Sequence, residues 1–357
     1  MSIKGAIVRS LSAVAVTFPF RSAAEKLLVV VGHRFPASRV VQSFCRHFGS
    51  KLIEHEGMSF ERIVIFASGG KMHCGVDGDI GLLSLMHYFL GTITGQTEDE
   101  RPIVKLLNRV IHEGDVFFDV GANLGFYSFY VGPLCGKSGS VHAFEANPRL
   151  IPHLSQSIEL NQTQSNIQLN AAAVGGRPRT HLPLYDPDRI GCSSLHAHGW
   201  LDRDSAVLVP VITIDDYIRE RGVTRIDVMK IDIEGAELEA FQGMEETFRV
   251  SPPGVIICEL MPFENTHGRD RIEVLHRAQS AAKPSEIAGF LAAKGYELFE
   301  IGKTDGRIEL FETSFSTIED ARHVVNVAFV HKDIKDQRPE IFERIGLANQ
   351  ADHRPAL

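Results

Sequence analysis

The chain has 357 residues, with 37 lysines and arginines against 45 aspartates and glutamates, a formal charge of −8 at pH 7. Its 44% hydrophobic and 23% charged residues are those of a folded globular protein and exclude a disordered tail. The acidic excess repels phosphate backbones and anionic lipid heads, so no nucleic-acid partner is expected.

The five cysteines, Cys45, Cys74, Cys135, Cys192 and Cys258, are scattered and never form C-x-x-C. That excludes a disulfide framework or a cysteine-based zinc site as organising features and fits a reducing, cytoplasmic compartment. No H-E-x-x-H occurs, and the pair His196/His198 reads as solvated loop residues, so no metal site is expected.

At the N-terminus, Lys4 and Arg9 precede the stretch Ser10 to Phe20, and Ser22-Ala23-Ala24 resembles a cleavage site. Arg9, Ser10, Ser12 and Thr17 interrupt the run, which therefore reads as a docked helix or loose terminus rather than a targeting peptide. No stretch reaches the ~18 uncharged apolar residues that a membrane-spanning helix needs.

Residues 62–66 and 71–76 flank Ser68-Gly69-Gly70 and predict a hairpin. Asp77 and Asp79 read as turn residues. Leu82, Leu83, Leu85, Met86, Phe89 and Leu90 recur at helical spacing, and a second helix is predicted over 98–112 behind the acidic start Glu98-Asp99-Glu100.

From Val116 strands alternate with helices to about residue 330. Strands are predicted at 116–120, 141–145, 167–170, 227–232, 255–259, 296–301 and 324–330, with helices at 124–134, at 148–160 from Pro148, at 216–221 and at 284–294. Asp215 is expected to cap the helix over 216–221. Strand and helix in repetition imply an α/β fold, doubly wound around a mostly parallel sheet. Residues 171–212 break the rhythm, and long irregular segments in a compact domain usually carry function.

The turn Asp119-Val120-Gly121-Ala122-Asn123-Leu124-Gly125 stands where the first strand hands over to a helix. Its glycines permit a tight turn and close approach of a ligand. Asn123 occupies the place of the second glycine of a pyrophosphate cradle, which favours a ligand without phosphates. Glu145 ends the second strand, where an acid hydrogen-bonds ribose hydroxyls. Together these residues point to an adenosine-type ligand; taken singly each is explained by turn chemistry or a helix N-terminal charge.

The segments Phe118 to Ser128, Val141 to Pro148 and Val228-Met229-Lys230-Ile231-Asp232-Ile233-Glu234-Gly235-Ala236-Glu237 resemble the FkbM family of S-adenosylmethionine-dependent methyltransferases, over about residues 100–330. Where that family often has Glu-Pro-Asn, this chain has Glu145-Ala146-Asn147 followed by Pro148. The resemblance implies a Rossmann-like sheet of seven strands in a methyltransferase domain over 98–335. Residues 1–97 would be an N-terminal appendage, in the place of a lid or substrate element, and 336–357 a polar tail. It also implies S-adenosyl-L-methionine as donor. Asp119, Gly121, Asn123 and Gly125 would lie at its methionine end, Glu145 on the ribose and Ala172 near the adenine. Gly191-Cys192-Ser193-Ser194-Leu195 resembles a stretch of the family that faces donor and acceptor, which nominates Ser194.

Methyl transfer to an alcohol needs a base within hydrogen-bond reach of the hydroxyl. Strand alternation puts Lys230 and Asp232 on one face at the carboxyl end of a central strand. Asp232 is the first candidate base, Glu234 the second and His196 or His198 the alternative. A plain reading remains beside these, in which Lys230 and Asp232 form a structural ion pair and Glu234 caps the next helix. Glu259 could reach the acceptor, with Glu264 and His267 beyond it, and Glu237 and Glu239 are expected on a solvated helix face. Phe60, Phe66, Met86, Tyr88 and Phe89 of the appendage read as core material.

The expectation is an O-methyltransferase acting on a sugar, glycan or secondary metabolite, compatible with a homo-oligomer. Its rivals are a non-catalytic nucleoside-binding module and an NAD-dependent oxidoreductase, since fold alone does not choose among them.

Overall fold

The computed structural model describes residues 21–35, 38–56, 62–74, 100–185, 193–196, 206–260, 282–301, 308–310 and 325–345. The helix expected around 82–90, and Phe60, Asp77, Asp79, Met86, Tyr88, Phe89, His198, Glu264 and His267, lie outside them.

In chain order the elements are α1 (Arg21–Arg34), α2 (Arg39–Glu56), β1 (Arg62–Ile65), β2 (Lys71–Cys74), α3 (Glu100–Val110), β3 (Val116–Val120), α4 (Phe126–Cys135), β4 (Ser140–Phe144) and α5 (Ile151–Asn161). They continue with β5 (Ile167–Asn170), β6 (Ala173–Val174), β7 (Arg179–Leu184), β8 (Val207–Ile212), α6 (Ile214–Arg221), β9 (Val228–Ile231), α7 (Glu237–Gln242), α8 (Glu245–Val250) and β10 (Val255–Leu260). The last are α9 (Pro284–Ala293), β11 (Tyr296–Ile301), β12 (Ile308–Leu310), β13 (Val325–His331), α10 (Ile334–Gln337) and α11 (Pro339–Arg344).

The central sheet runs β12-β11-β13-β10-β9-β3-β4-β5. Strands β5, β4, β3, β9 and β10 are mutually parallel, and β13 lies antiparallel between β10 and β11. The seven expected strands are all present, and β12 adds an eighth at the edge beyond β11.

Consecutive residues on the buried strands feed opposite faces, as a doubly wound sheet requires. Phe117, Val141, Val228 and Ile257 pack with α3, α4 and the hairpin on one side. Phe118, Phe144, Met229 and Ile256 pack with α6, α7 and α9 on the other. The β1–β2 hairpin is antiparallel and turns through Phe66 to Gly70. Its β2 edge is fastened to α5: Asn161 Oδ1 accepts the Lys71 amide at 2.9 Å and Ser157 Oγ accepts that of His73 at 2.9 Å. Phe66 packs edge-on against Phe126, with ring centres 5.4 Å apart.

Two local expectations are corrected. The helix expected from Pro148 begins at Ile151, because Pro148 sits in a turn whose amides are turned by Asn147 Oδ1 and the Asn147 carbonyl. Asp215 does not cap α6. Thr213 does, accepting from the Asp216 amide at 3.1 Å, while Asp215 lies inside α6 and accepts the Glu246 and Thr247 amides at the start of α8. The irregular segment contributes a three-stranded sheet, β6-β8-β7, beside the carboxyl ends of the parallel strands.

Candidate active site

The carboxyl ends of β3, β4, β9 and β10 open onto one cleft lined by Gly121, Asn123, Glu145, Ala172, Ser193, Asp232, Glu234 and Glu259, with apolar walls from Val120, Phe144, Leu150, Val174, Leu184 and Leu195. Its position follows from the topology: β3 lies between β4 on one side and β9 on the other, and helices leave in opposite directions from this switch point.

The two turns at its floor touch. Gly121 has φ +83°, and a Cβ there would come within 1.9 Å of the Asp232 carbonyl oxygen, so only glycine fits. Asn123 is left-handed at φ 52°, a conformation Asn tolerates better than most residues. Its backbone N–H donates to Glu145 Oε2 at 2.7 Å, and the Asn147 N–H donates to Glu145 Oε1 at 2.7 Å. Burial pushes the Glu145 carboxyl up to about 7, against the pull of those amides. The Asn123 side-chain Oδ1 is buried and has no hydrogen-bond partner among the described residues. A carboxylate fixed by two amides, an unmatched amide oxygen and a small-residue wall at Ala172 suit a ribose and a flat base.

On the β9 side, Lys230 Nζ donates to Asp232 Oδ2 at 2.9 Å. Burial opposes charge on Asp232, but Lys230 and a hydrogen bond with Glu259 outweigh it and hold Asp232 below the ordinary carboxylate range. Glu259 is driven well above that range by burial, then by Asp232 and Glu234. One carboxylate oxygen from each of Asp232, Glu234 and Glu259 lies within 4.8 Å of the other two, close enough for the three to share one positive charge. Glu234 is held at φ 56°, backbone strain at a cleft-lining residue.

The other expected residues stand behind this wall. Asp119 is buried and accepts Ser128 Oγ at 2.6 Å on Oδ2. Gly125 caps α4 and faces Phe129 and Leu154 rather than the cleft. Ser193 is the serine on the lining and receives Asn147 Nδ2 at 3.2 Å, whereas Ser194 is buried and donates to the Glu234 carbonyl at 2.9 Å, steadying the strained turn. His196 is off the lining, with Nε2 3.4 Å from Glu239 Oε1.

Glu237 is a correction. It is buried rather than solvated, and its Oε1 accepts the Ile233 and Gly235 amides, closing the turn that presents Glu234. The signal was local: an acid two residues after Gly235, at the start of a short helix, faces free amides. The N-cap position of that helix is Ala236, not Glu234, and no side chain caps it; Glu237, its first residue, bonds the turn before it instead.

An open sheet of this strand order, with a glycine turn and an acid at the ends of adjacent strands, places the chain among the doubly wound α/β proteins, which bind ligands in the crevice at the switch point. Residues 119–298 match the methyltransferase FkbM domain, half of the chain, and the chain belongs to that family. It is 25% identical over 157 residues to the hexuronic acid methyltransferase AglP of Haloferax volcanii, covering 41% of this chain and 56% of that protein. It is 30% identical over 156 residues to methyltransferase sdnD of Sordaria araneosa, covering 36% and 60%. It is 24% identical over 163 residues to the 31-O-demethyl-FK506 methyltransferase FkbM of Streptomyces tacrolimicus, covering 38% and 62%. The chain thus spans about three fifths of the length of the curated relatives it matches. A SAM-dependent methyltransferase from Aquifex aeolicus aligns over 64% of this chain and 88% of its own, at 14% identity and a TM-score of 0.35. No helix among the described residues is long and apolar enough to cross a membrane.

Proposed function

We propose that this protein transfers a methyl group from S-adenosyl-L-methionine to a hydroxyl of a sugar, glycan or secondary metabolite, with Asp232 as the proton acceptor. The observation that carries the reading is the single cleft in which Glu145, held by the turn amides, faces the same space as Asp232, Glu234 and Glu259. Two relatives' names support the reading: 31-O-demethyl-FK506 methyltransferase supports transfer to oxygen, and hexuronic acid methyltransferase supports a sugar-type acceptor.

When bound, S-adenosylmethionine supplies a methyl carbon already activated by its sulfonium. Glu145, Asn123 and Ala172 would hold the nucleoside. The remaining task is positioning and exclusion of water, which the apolar walls provide. As the new C–O bond forms, the acceptor oxygen becomes a protonated ether, a strong acid. A carboxylate that Lys230 keeps ionised is therefore basic enough to take that proton late in the step, and Asp232 carries it until it passes to water.

The test pairs binding with turnover. Wild-type protein is incubated with S-adenosylmethionine and a panel of uronic acids, glycosides and macrolide alcohols, and products that gain one methyl are sought by mass spectrometry. Asp232→Asn should lower turnover by about 10²–10⁴-fold while S-adenosylhomocysteine still binds. A wild type that binds S-adenosylhomocysteine yet methylates nothing would favour a nucleoside-binding module, and preferential NAD binding would end the methyltransferase reading.

A further inference from the structure

The charged residues on the α4 side of the sheet form a buried row, of which the reaction proposed above uses one end. Strand register places Asp119 of β3 opposite Lys230 of β9, so both side chains lie on the same face. Lys230 is 4% exposed; besides its bond to Asp232, its ammonium lies 4.8 Å from the centre of the Tyr127 ring. Asp119 is 1% exposed, and while Ser128 satisfies Oδ2, the buried Oδ1 has no hydrogen-bond partner among the described residues. A buried carboxylate oxygen without a donor is costly. Lys230 has three N–H donors, and its field reaches Asp119 as well as Asp232.

Among the described residues, the other charged groups facing Asp232 are acidic: Glu259 from β10, Glu234 from the turn before α7 and Glu237 at the first position of α7. No lysine or arginine lines the cleft among the described residues, whereas four carboxylates do. Burial pushes the Glu145 and Glu259 carboxyls upward, so these two hold protons more readily than Asp232 does, and a cation entering the cleft draws them toward the ionised form; the wall thereby favours a ligand carrying positive charge.

We propose that Asp119, Lys230 and Asp232 act together to read the charge of the bound nucleoside, holding the sulfonium donor more tightly than the neutral thioether that remains after transfer. Asp119 is the positioning residue. It can take over the ammonium of Lys230, leaving the Asp232 carboxylate to the ligand's cation, and it releases that ammonium to Asp232 once the cation is gone. Product is thereby held less firmly than donor. The inference rests on the donor reading of the preceding subsection.

The test is calorimetric titration in EDTA with three probes: S-adenosylmethionine, S-adenosylhomocysteine, and sinefungin, which carries an ammonium in place of the sulfonium methyl. Wild-type protein should bind the two cationic probes about tenfold or more tightly than S-adenosylhomocysteine. In Asp119→Asn most of that advantage should vanish, with S-adenosylhomocysteine affinity changed by about twofold or less. Equal binding of all three probes to wild type overturns the inference without any variant, and so does an Asp119→Asn protein that weakens all three alike. Failure of all three to bind would instead refute the donor reading on which it stands.

Discussion

Glu145 and Asn123 hold each other across two strands: the Glu145 carboxylate accepts the Asn123 backbone N–H at 2.7 Å, so the acid at the end of β4 fixes the left-handed turn that follows β3. The turn is shaped before any ligand arrives, and a ligand touching either residue meets both.

That relationship carries a pH signature. The Glu145 carboxyl lies at about 7 in the folded protein because of burial, well above its ordinary range. Ribose hydroxyls donate hydrogen bonds, and they donate best to the ionised form. S-adenosylhomocysteine affinity should therefore rise severalfold between pH 6 and pH 8 in wild type and stay flat in Glu145→Gln. A pH-independent wild-type titration would separate Glu145 from the ribose.

The same group affects stability with a defined sign. A carboxyl whose folded pKa is raised favours the folded state while protonated, and that advantage is lost as pH climbs from the ordinary range through about 7. Glu145→Gln should gain on wild type over this window, by on the order of 3 kcal/mol at its upper end. Denaturant unfolding of both proteins at pH 4.5 and pH 8 checks it.

Gly121 and Gly222 both have positive φ, yet their surroundings differ. A Cβ at Gly121 would strike the Asp232 carbonyl oxygen at 1.9 Å, whereas one at Gly222 meets nothing within 4 Å. Gly222→Ala should cost about 1 kcal/mol from conformation alone. Gly121→Ala should cost about 3 kcal/mol or more and abolish S-adenosylhomocysteine binding, because the two turns must part. Melting curves and titration of the two variants make the comparison.

Glu234 pays for its left-handed backbone with strain. Glu234→Gly should stabilise the fold by about 0.5–1 kcal/mol, since glycine adopts φ 56° without penalty. If its carboxylate serves the acceptor, the same change lowers methyl transfer while the melting temperature rises. Unchanged transfer would reduce Glu234 to a turn residue.

Arg338, between α10 and α11, ties that segment to the amino ends of the central strands β3 and β9. Its guanidinium donates to Asp115 at 2.9 Å and also to Asp227, whose other oxygen receives Arg225 at 2.9 Å. Removing it leaves Asp115, already pushed upward by burial, without its ionic partner. Arg338→Ala should destabilise by about 3 kcal/mol with little change in S-adenosylhomocysteine affinity, because the clamp lies at the amino ends of the strands, away from the cleft.

The order of strands and helices from residue 116 onward was legible because it rests on short-range pattern: apolar runs of five or six residues, glycine at the turns, and alternation that assigns Phe117 and Phe118 to opposite faces. So were Gly121, Asn123, Glu145 and Asp232, whose motif spacing already places them at strand ends. Which serine faces the cleft, that Glu237 turns inward to close a turn, and that Asp119 stands beside Lys230 rather than in the cleft were decided only by the tertiary structure. The reason is physical: periodicity tells which side of its own strand a residue occupies, but the partner that satisfies a buried charge comes from another strand or turn, and long-range register alone sets that meeting.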